Sequence, residues 1–584
     1  MTDDFTGLPG SPATGARVRA MVAVRLLAQG LKPQTAQMAA PALWAGMGYY
    51  IWQDMSELAN TLFTVGVTAA LIAVATLLTC RLIFSSLLVA MLVAAVVAAS
   101  WVKHAIMNMV VHAYDLFFYL TSWSTVSYLW SEHTRYVLWA GGALLAAAMI
   151  AVLGYRLDAT RIARSRSALV LLPCVLLAWS GAAAKSERRH MLFHFENQYL
   201  SSFYASWGET VEALWRGALL EADPDPARGS ALTIPARCET AVKPPHIILI
   251  HEESLVQPSL FPTLGYDRSL DKLFRSYDGT LRQMRVETYG GASWLTEFSL
   301  LAGVSTHSFG NMRQFVQTFM QGRLKDTLPQ ALARCGYRNV VFYPMLKNFV
   351  SNDKFYTSIG MTEVFDMKSQ GAKSVQERDR FYFDNAMAEM GRHFKSSSRP
   401  LFTFIQTMSA HWPYNFTFEP KAKVPGGAPG TDPEMHEYLR RVSLAKIDYE
   451  HLVKELRRRF PRERFLIVHY GDHQPMATRT LLGYSAETEA EDVALNPDSI
   501  GFITYFAVQG VNYAVPDLPK LDPLDVTYLG SLILDLANLP LSDSHRERLR
   551  LMALCQGRYY SCSHRDEILR FHRRLIDSGI VAAG

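Results

Sequence analysis

At 584 residues, 49% of them apolar or aromatic and 19% charged, the chain is too long for one compact domain, so its organisation has to be settled before its chemistry. The net charge of +5 is small for this length, and Lys and Arg are interspersed with Asp and Glu instead of forming a basic block, so no nucleic-acid partner is implied. Ala, Leu, Val, Ile and aromatics dominate residues 60–184, and charge returns to ordinary globular density from Lys185.

In chain order, residues 1–57 form an N-terminal segment carrying Arg17, Arg19, Arg25 and Lys32. Its apolar run, 41–52, is too short to span a bilayer and reads as an interfacial segment, and no cleavable signal peptide is evident. Five stretches reach the roughly 20 apolar residues that a crossing needs: 59–80, 83–102, 109–129, 137–155 and 168–184. The third contains His112 and Asp115, read as polar groups facing neighbouring helices. Arg156, Arg161, Arg164 and Arg166 lie between the fourth and fifth. The positive-inside rule then places the N-terminus in the cytoplasm and everything after Ala184 outside, although Lys185, Arg188 and Arg189 weaken the contrast. Residues 194–216 suit a helix lying on the membrane surface, and 223–229, rich in Asp and Pro, read as a linker. The expected domains are 1–57, a transmembrane bundle over 58–184, a linker over 185–243, and a catalytic domain over 244–584. Cys80 and Cys174 fall in apolar runs, whereas Cys238, Cys335, Cys555 and Cys562 are an even soluble set compatible with an oxidising compartment, the last two forming a short candidate disulfide loop.

From His246 onward, β-rich runs at 246–250, 339–343, 401–406, 465–469 and 502–508 alternate with helical patterns, the mark of an α/β sheet with mostly parallel strands. Their downstream flanks carry His251-Glu252-Glu253-Ser254, Thr407-Met408-Ser409-Ala410-His411 and Tyr470-Gly471-Asp472-His473. Ligands bind beyond the carboxyl ends of such strands, so these groups can converge. Together they make an oxygen-rich site with one imidazole, suited to Mn²⁺, Mg²⁺ or Zn²⁺. A nucleophile is supplied by Tyr289-Gly290-Gly291-Ala292-Ser293-Trp294-Leu295-Thr296-Glu297-Phe298. There Ser293 opens a helical pattern, either as an ordinary N-cap or as a hydroxyl beside free N–H groups that favour a phosphate.

These motifs resemble the lipoteichoic acid synthase and membrane phosphoglycerol transferase branch of the alkaline phosphatase and sulfatase superfamily. The resemblance runs over essentially the whole chain and implies an α-helical transmembrane bundle followed by an α/β, sulfatase-like domain. It makes Glu253, Ser293, Asp472 and His473 the metal ligands, with Glu252 as the alternative, and Ser293 the nucleophile in place of the family's threonine, with Thr296 as competitor. Ser409-Ala410-His411-Trp412-Pro413-Tyr414 matches the motif whose histidine contacts the substrate phosphate, so His411 joins Trp294, Asn352 and Asp353 as a substrate contact. Asn352 stands where lipoteichoic acid synthases have an arginine that touches the glycerol phosphate, which points to a single-transfer enzyme decorating a glycan.

The implied reaction is metal-dependent transfer of a phosphoglycerol head group, from phosphatidylglycerol first, to a periplasmic or surface glycan through a phosphoserine. It places the protein in the inner membrane as a multi-pass chain with its catalytic domain periplasmic or extracellular. A phosphoethanolamine transferase is the alternative. A sulfatase or phosphodiesterase ranks below it, because 293–297 lack the Pro and Arg that follow a formylglycine precursor.

Overall fold

The computed structural model describes residues 33–54, 58–107, 109–184, 198–216, 219–226, 230–240, 242–422, 424, 432–483, 496 and 498–582. Arg17, Arg19, Arg25, Lys32, Lys185, Arg188, Arg189, the start of the 194–216 segment and the end of the 223–229 linker lie outside the described residues. The chain divides into two compact units, with Tyr114–Glu132 belonging to the second.

In the first unit, four helices are long and apolar enough to cross a membrane: Leu58–Thr79, Leu82–Ala105, Thr134–Leu157 and Arg164–Ala183. This is a membrane protein. Small residues let the first and last of these pack backbone to backbone. A Cβ on Gly66 would lie 2.4 Å from the Ala178 nitrogen, and one on Gly181 would lie 2.5 Å from the Ala59 oxygen. The expected interfacial run is part of a longer helix, Pro33–Asp54, whose 22 residues would reach about 33 Å at the helical rise. It is less apolar than the other four, yet it packs into the bundle: Met47 and Ile51 join Val89, Val93, Val96 and Phe203 in one cluster, and Trp44 Nε1 donates to Ser86 Oγ at 2.9 Å.

The expected third span is corrected. Residues 109–129 do not form one helix; Ala113–Phe118 and Trp123–Glu132 are separated by a turn. Their polar side chains find partners in the second unit, where Ser122 Oγ meets Ser351 Oγ at 2.8 Å and Ser124 Oγ donates to Asp353 at 3.1 Å. The rings of Tyr114 and Tyr119 lie 5.5 and 5.1 Å from Phe315, and Tyr128 lies 5.4 Å from Phe349. Exposed to lipid, the turn would leave backbone groups unpaired, which hydrocarbon does not tolerate.

The second unit is built on an eight-stranded mixed sheet: β1 (His246–Glu252), β2 (Gln283–Arg285), β3 (Arg338–Phe342), β4 (Glu363–Phe365), β5 (Leu401–Gln406), β6 (Phe465–Gly471), β7 (Ile503–Val511) and β8 (Leu524–Asp525). The order is β4-β3-β5-β1-β6-β7-β2-β8. From β4 to β6 all pairs are parallel, and β7 is antiparallel to both β6 and β2. The central strands β5, β1 and β6 are buried along their length, as a sheet covered on both faces requires. Ile248 and Ile250 of β1 face helices Asp379–Ser396 and Pro433–Arg459 through Met387, Tyr438 and Val442. Helix Leu328–Arg334 covers the other face, where Asn339 Nδ2 donates to the Pro329 oxygen at 2.7 Å.

Two disulfides tie this unit: the anticipated Cys555–Cys562 and, in addition, Cys238–Cys335. They span 97 and 7 residues. On the chain-entropy account, replacing Cys238 and Cys335 by serine is expected to cost ~4–5 kcal/mol, against ~2.5 kcal/mol for the Cys555 and Cys562 pair. Thermal unfolding of the two double variants checks this, and equal losses would contradict it.

Candidate active site

Parallel pairing sets the stage. In β1 and β6 the register matches His251 with Tyr470 and Glu252 with Gly471, so the next residues, Glu253 and Asp472, leave the sheet side by side. β5 flanks β1 from the other side and delivers Thr407 to His411 to the same edge. Gly471 permits the approach of the β1 exit loop: a Cβ there would lie 1.8 Å from the Leu255 oxygen.

The turn before helix Ser293–Ala302 is equally specific. Gly290 has φ +70°, and a Cβ would collide with Met476 Sδ at 2.3 Å. Ala292 has φ 61°, an uncommon conformation for a residue with a Cβ and one often stored at functional turns. Ser293 thereby begins the helix with its side chain half-buried, and its Oγ donates to Glu253 Oε2 at 3.0 Å and lies 3.4 Å from His473 Nε2.

Asp472 is fully buried, and its Oδ1 accepts from the backbone N–H groups of Ser254, at 2.7 Å, and His473, at 2.8 Å. Oδ2 has no hydrogen-bond partner. It lies 3.3 Å from His473 Nε2 and 3.2 Å from His251 Nε2, and His473 Nε2 is 3.4 Å from Glu253 Oε1. His473 Nδ1 faces the Gln474 carbonyl at 2.9 Å, which favours the tautomer that leaves Nε2 a lone pair for a ligand. Burial opposes charge on His473, but Asp472 and Glu253 outweigh it and hold the imidazole up at about 9. Burial also opposes ionisation of Glu253, yet His473 keeps it well below the usual carboxylate range. His411 adds to that lowering. Two buried carboxylates, one with an oxygen that no hydrogen bond claims, beside imidazole and hydroxyl groups fit a divalent metal ion.

The structure thus brings together Glu253, Ser293, Asp472 and His473 and separates their alternatives. Glu252 emerges on the other face of β1, where Tyr505 OH donates to it and His469 Nδ1 is 3.5 Å away. Thr296 is fully buried; its Oγ1 donates to the Asp472 carbonyl at 2.8 Å and accepts from Glu287 N–H at 3.2 Å, so it fastens the helix to the Gly-Asp-His turn. Trp294 is tethered by Nε1 to the Gln314 carbonyl at 3.0 Å. Asn352 is buried beside Tyr343 with its Oδ1 unpaired, and half-buried Asp353 is engaged by Ser124. His411 is half-exposed, and its carbonyl accepts from buried Arg441 at 2.6 Å and from Gln376 at 2.7 Å.

Two residues were not singled out by the sequence reading. His251 lies on the same strand face as Glu253, a placement its i, i+2 spacing could have signalled. Asp379 accepts from Ser409 N–H at 3.1 Å, anchoring the loop that carries His411.

Residues 245–495 match the Sulfatase family model. Over these residues the chain is similar to the sulfatase family. The match ends inside the longer second unit and leaves the four membrane-length helices outside it. An uncharacterised protein of Haemophilus influenzae is 23% identical over 319 residues, 52% of this chain and 54% of that one, so the chain spans about half the length of the curated relative it matches. Among solved structures, the phosphoglycerol transferase GacH of Streptococcus pyogenes, in complex with sn-glycerol-1-phosphate, is 13% identical with a TM-score of 0.46, covering 59% of this chain and 88% of its own. The membrane protein lipooligosaccharide phosphoethanolamine transferase A of Neisseria meningitidis is 12% identical with a TM-score of 0.41, covering 85% and 95%. The lipoteichoic acid synthase LtaP of Listeria monocytogenes is 17% identical with a TM-score of 0.39, covering 51% and 72%.

Burial, reinforced by Asp448, pushes the Asp379 carboxyl up to about 7. A raised acid means that the native state keeps a proton the unfolded chain releases, so stability falls as pH rises from about 4 to 7. Asp379→Asn is expected to remove this fall, gaining about 3 kcal/mol relative to the parent between pH 4.5 and pH 8. Denaturant melts at the two pH values check it; a pH-independent difference would contradict it.

Proposed function

We propose that this protein transfers a phosphoglycerol group from a membrane phospholipid, phosphatidylglycerol first, to a hydroxyl of a periplasmic or surface glycan through a covalent phosphoserine at Ser293. The observation that carries the reading is the Ser293 hydroxyl, poised at a helix N-terminus 3.0 Å from Glu253 and 3.4 Å from His473. Helix-terminal N–H groups favour the anionic phosphate beside that hydroxyl. A divalent ion held by Glu253, Ser293, Asp472 and His473, manganese or magnesium first and zinc next, would supply Lewis-acid neutralisation of phosphate charge and a lower hydroxyl pKa. Ser293 Oγ forms a bond to phosphorus as the bond to the diacylglycerol oxygen breaks, and the serine proton leaves with diacylglycerol. In the second step the acceptor hydroxyl attacks phosphorus and the proton returns to Ser293 Oγ. His411, on a loop anchored by Arg441 and Asp379, is the residue to hold the phosphate or carry a proton. Trp294, Asn352 and Asp353 are the proposed substrate contacts.

A lipid donor requires a membrane site on the side where the glycan lies. We read Pro33–Asp54 as the first of five crossings in the inner membrane, replacing the discarded third. Arg81 Nη1 donates to the carbonyls of Tyr155, at 2.6 Å, and Asp158, which puts the turn after Leu58–Thr79 and the Arg-rich 156–166 turn at one end of the bundle. Five crossings with that end inside keep the N-terminus cytoplasmic and the soluble unit outside, where two disulfides are at home.

Incubation with phosphatidylglycerol labelled in its head group is expected to leave a covalent, labelled phosphate on Ser293, detected by mass spectrometry. Ser293→Ala is expected to lose it, while Thr296→Ser retains it. Label arriving only from phosphatidylethanolamine would shift the assignment to an ethanolamine transferase, and full transfer by Ser293→Ala would sink the phosphoserine. A reporter fused after Gly584 is expected on the non-cytoplasmic side; a cytoplasmic signal would remove both the topology and the lipid donor.

A further inference from the structure

We propose that His251 contributes Nε2 as a second imidazole ligand, so that the cation bound by Glu253, Ser293, Asp472 and His473 has five protein donors, two of them nitrogen. The inference rests on the metal-dependent reading above and deepens it. His251 is 1% exposed and follows the apolar run of β1 on the same face as Glu253, with side chains two residues apart pointing the same way. Its ring is held edge-on to Tyr470 with centroids 5.2 Å apart, and its Nδ1 lies 2.8 Å from the Tyr470 hydroxyl. One nitrogen is therefore satisfied. The other, Nε2, has no hydrogen-bond partner although it is wholly buried.

The nearest polar atom to consider is Asp472 Oδ2, 3.2 Å away. If His251 simply donated an N–H to that oxygen, both atoms would be satisfied. Neither gains an aligned hydrogen bond: the two stand 3.2 Å apart as a close pair of opposite charge and no more. Atoms that share a third body behave this way. Two ligands each about 2.0–2.2 Å from one ion, at angles between a right angle and tetrahedral, stand about 3.0–3.5 Å apart. The contacts from Ser293 to Glu253 (3.0 Å), from His473 to Asp472 (3.3 Å), from His473 to Glu253 (3.4 Å) and from His251 to Asp472 (3.2 Å) all fall in that range. Ligating atoms of His251, Glu253 and Asp472 also lie within 4.8 Å of one another.

A second imidazole changes which ion the site prefers. Nitrogen donors suit zinc better than magnesium, which favours all-oxygen surroundings and retained water. The assignment is tested on the full chain in detergent loaded with Cu²⁺, by pulsed electron paramagnetic resonance that counts coordinated imidazole nitrogens. The wild type is expected to show two, and His251→Gln and His473→Gln one each, with Cu²⁺ affinity lowered tenfold or more in His251→Gln. Affinity alone does not decide, because loss of a hydrogen-bonding neighbour of a ligand has a similar effect. The nitrogen count does decide, and it needs only the wild type should a variant fail to fold. One coordinated imidazole in the wild type overturns the proposal while leaving the metal site intact. No stoichiometric copper at all overturns the metal-dependent reading and, with it, this one.

Discussion

The carboxylate of Asp472 is divided between the fold and the chemistry, and much of the site follows from that division. One oxygen is claimed by two backbone N–H groups, from the β1 exit loop and from its own turn, which locks the side chain in position. The second oxygen is left buried without a hydrogen bond, facing two imidazoles. Burying a charge in this state costs several kcal/mol unless something positive answers it, so the arrangement persists only because a cation or a proton can do so. The Gly471 that precedes it is part of the same constraint, since any side chain there would push the β1 loop, and with it Ser254 N–H, away.

The scaffold around this point is rigid by construction. Three adjacent parallel strands, β5, β1 and β6, end at one edge, and their exit residues cannot shift without slipping a fully buried register. Ser293 arrives from a separate helix, and its position depends on Thr296, one turn further on, bonding to the Asp472 carbonyl. The nucleophile candidate and its metal-ligand candidates are therefore linked through backbone, a stiffer link than flexible side chains would provide. The same logic of close backbone approach governs the apolar unit, where Gly66 and Gly181 let two helices touch in the absence of a hydrophobic driving force between them.

Much of this was legible in advance. Strands β1, β3, β5, β6 and β7 are runs of five to nine residues rich in β-branched and aromatic side chains, which have few other ways to be buried. Strands β2, β4 and β8 are only two or three residues long and carry no periodic signal; they exist because a neighbouring strand offers an edge. Residues 109–129 mimic a span in composition, but Ser122 and Ser124, at and just after the turn, find partners in a protein surface. Pro33–Asp54 errs in the other direction, a helix longer than its apolar centre implied.

By itself, the order of residues determined that apolar helices precede an α/β domain, that acidic and imidazole groups follow several strands, and that a hydroxyl opens a helix after paired glycines. Those are local properties, written in composition, in turn chemistry and in periods of 2 and 3.6 residues. Only the tertiary structure decided between neighbours that local rules treat alike. Glu253 faces the site and Glu252 the opposite core because alternation along β1 sends adjacent side chains to opposite faces. Ser293 is half-exposed beside the carboxylates, whereas Thr296, one turn later, is buried against backbone. His251 enters the picture only when β6 lies alongside, since the oxygen it approaches belongs to a residue 221 positions away in the chain.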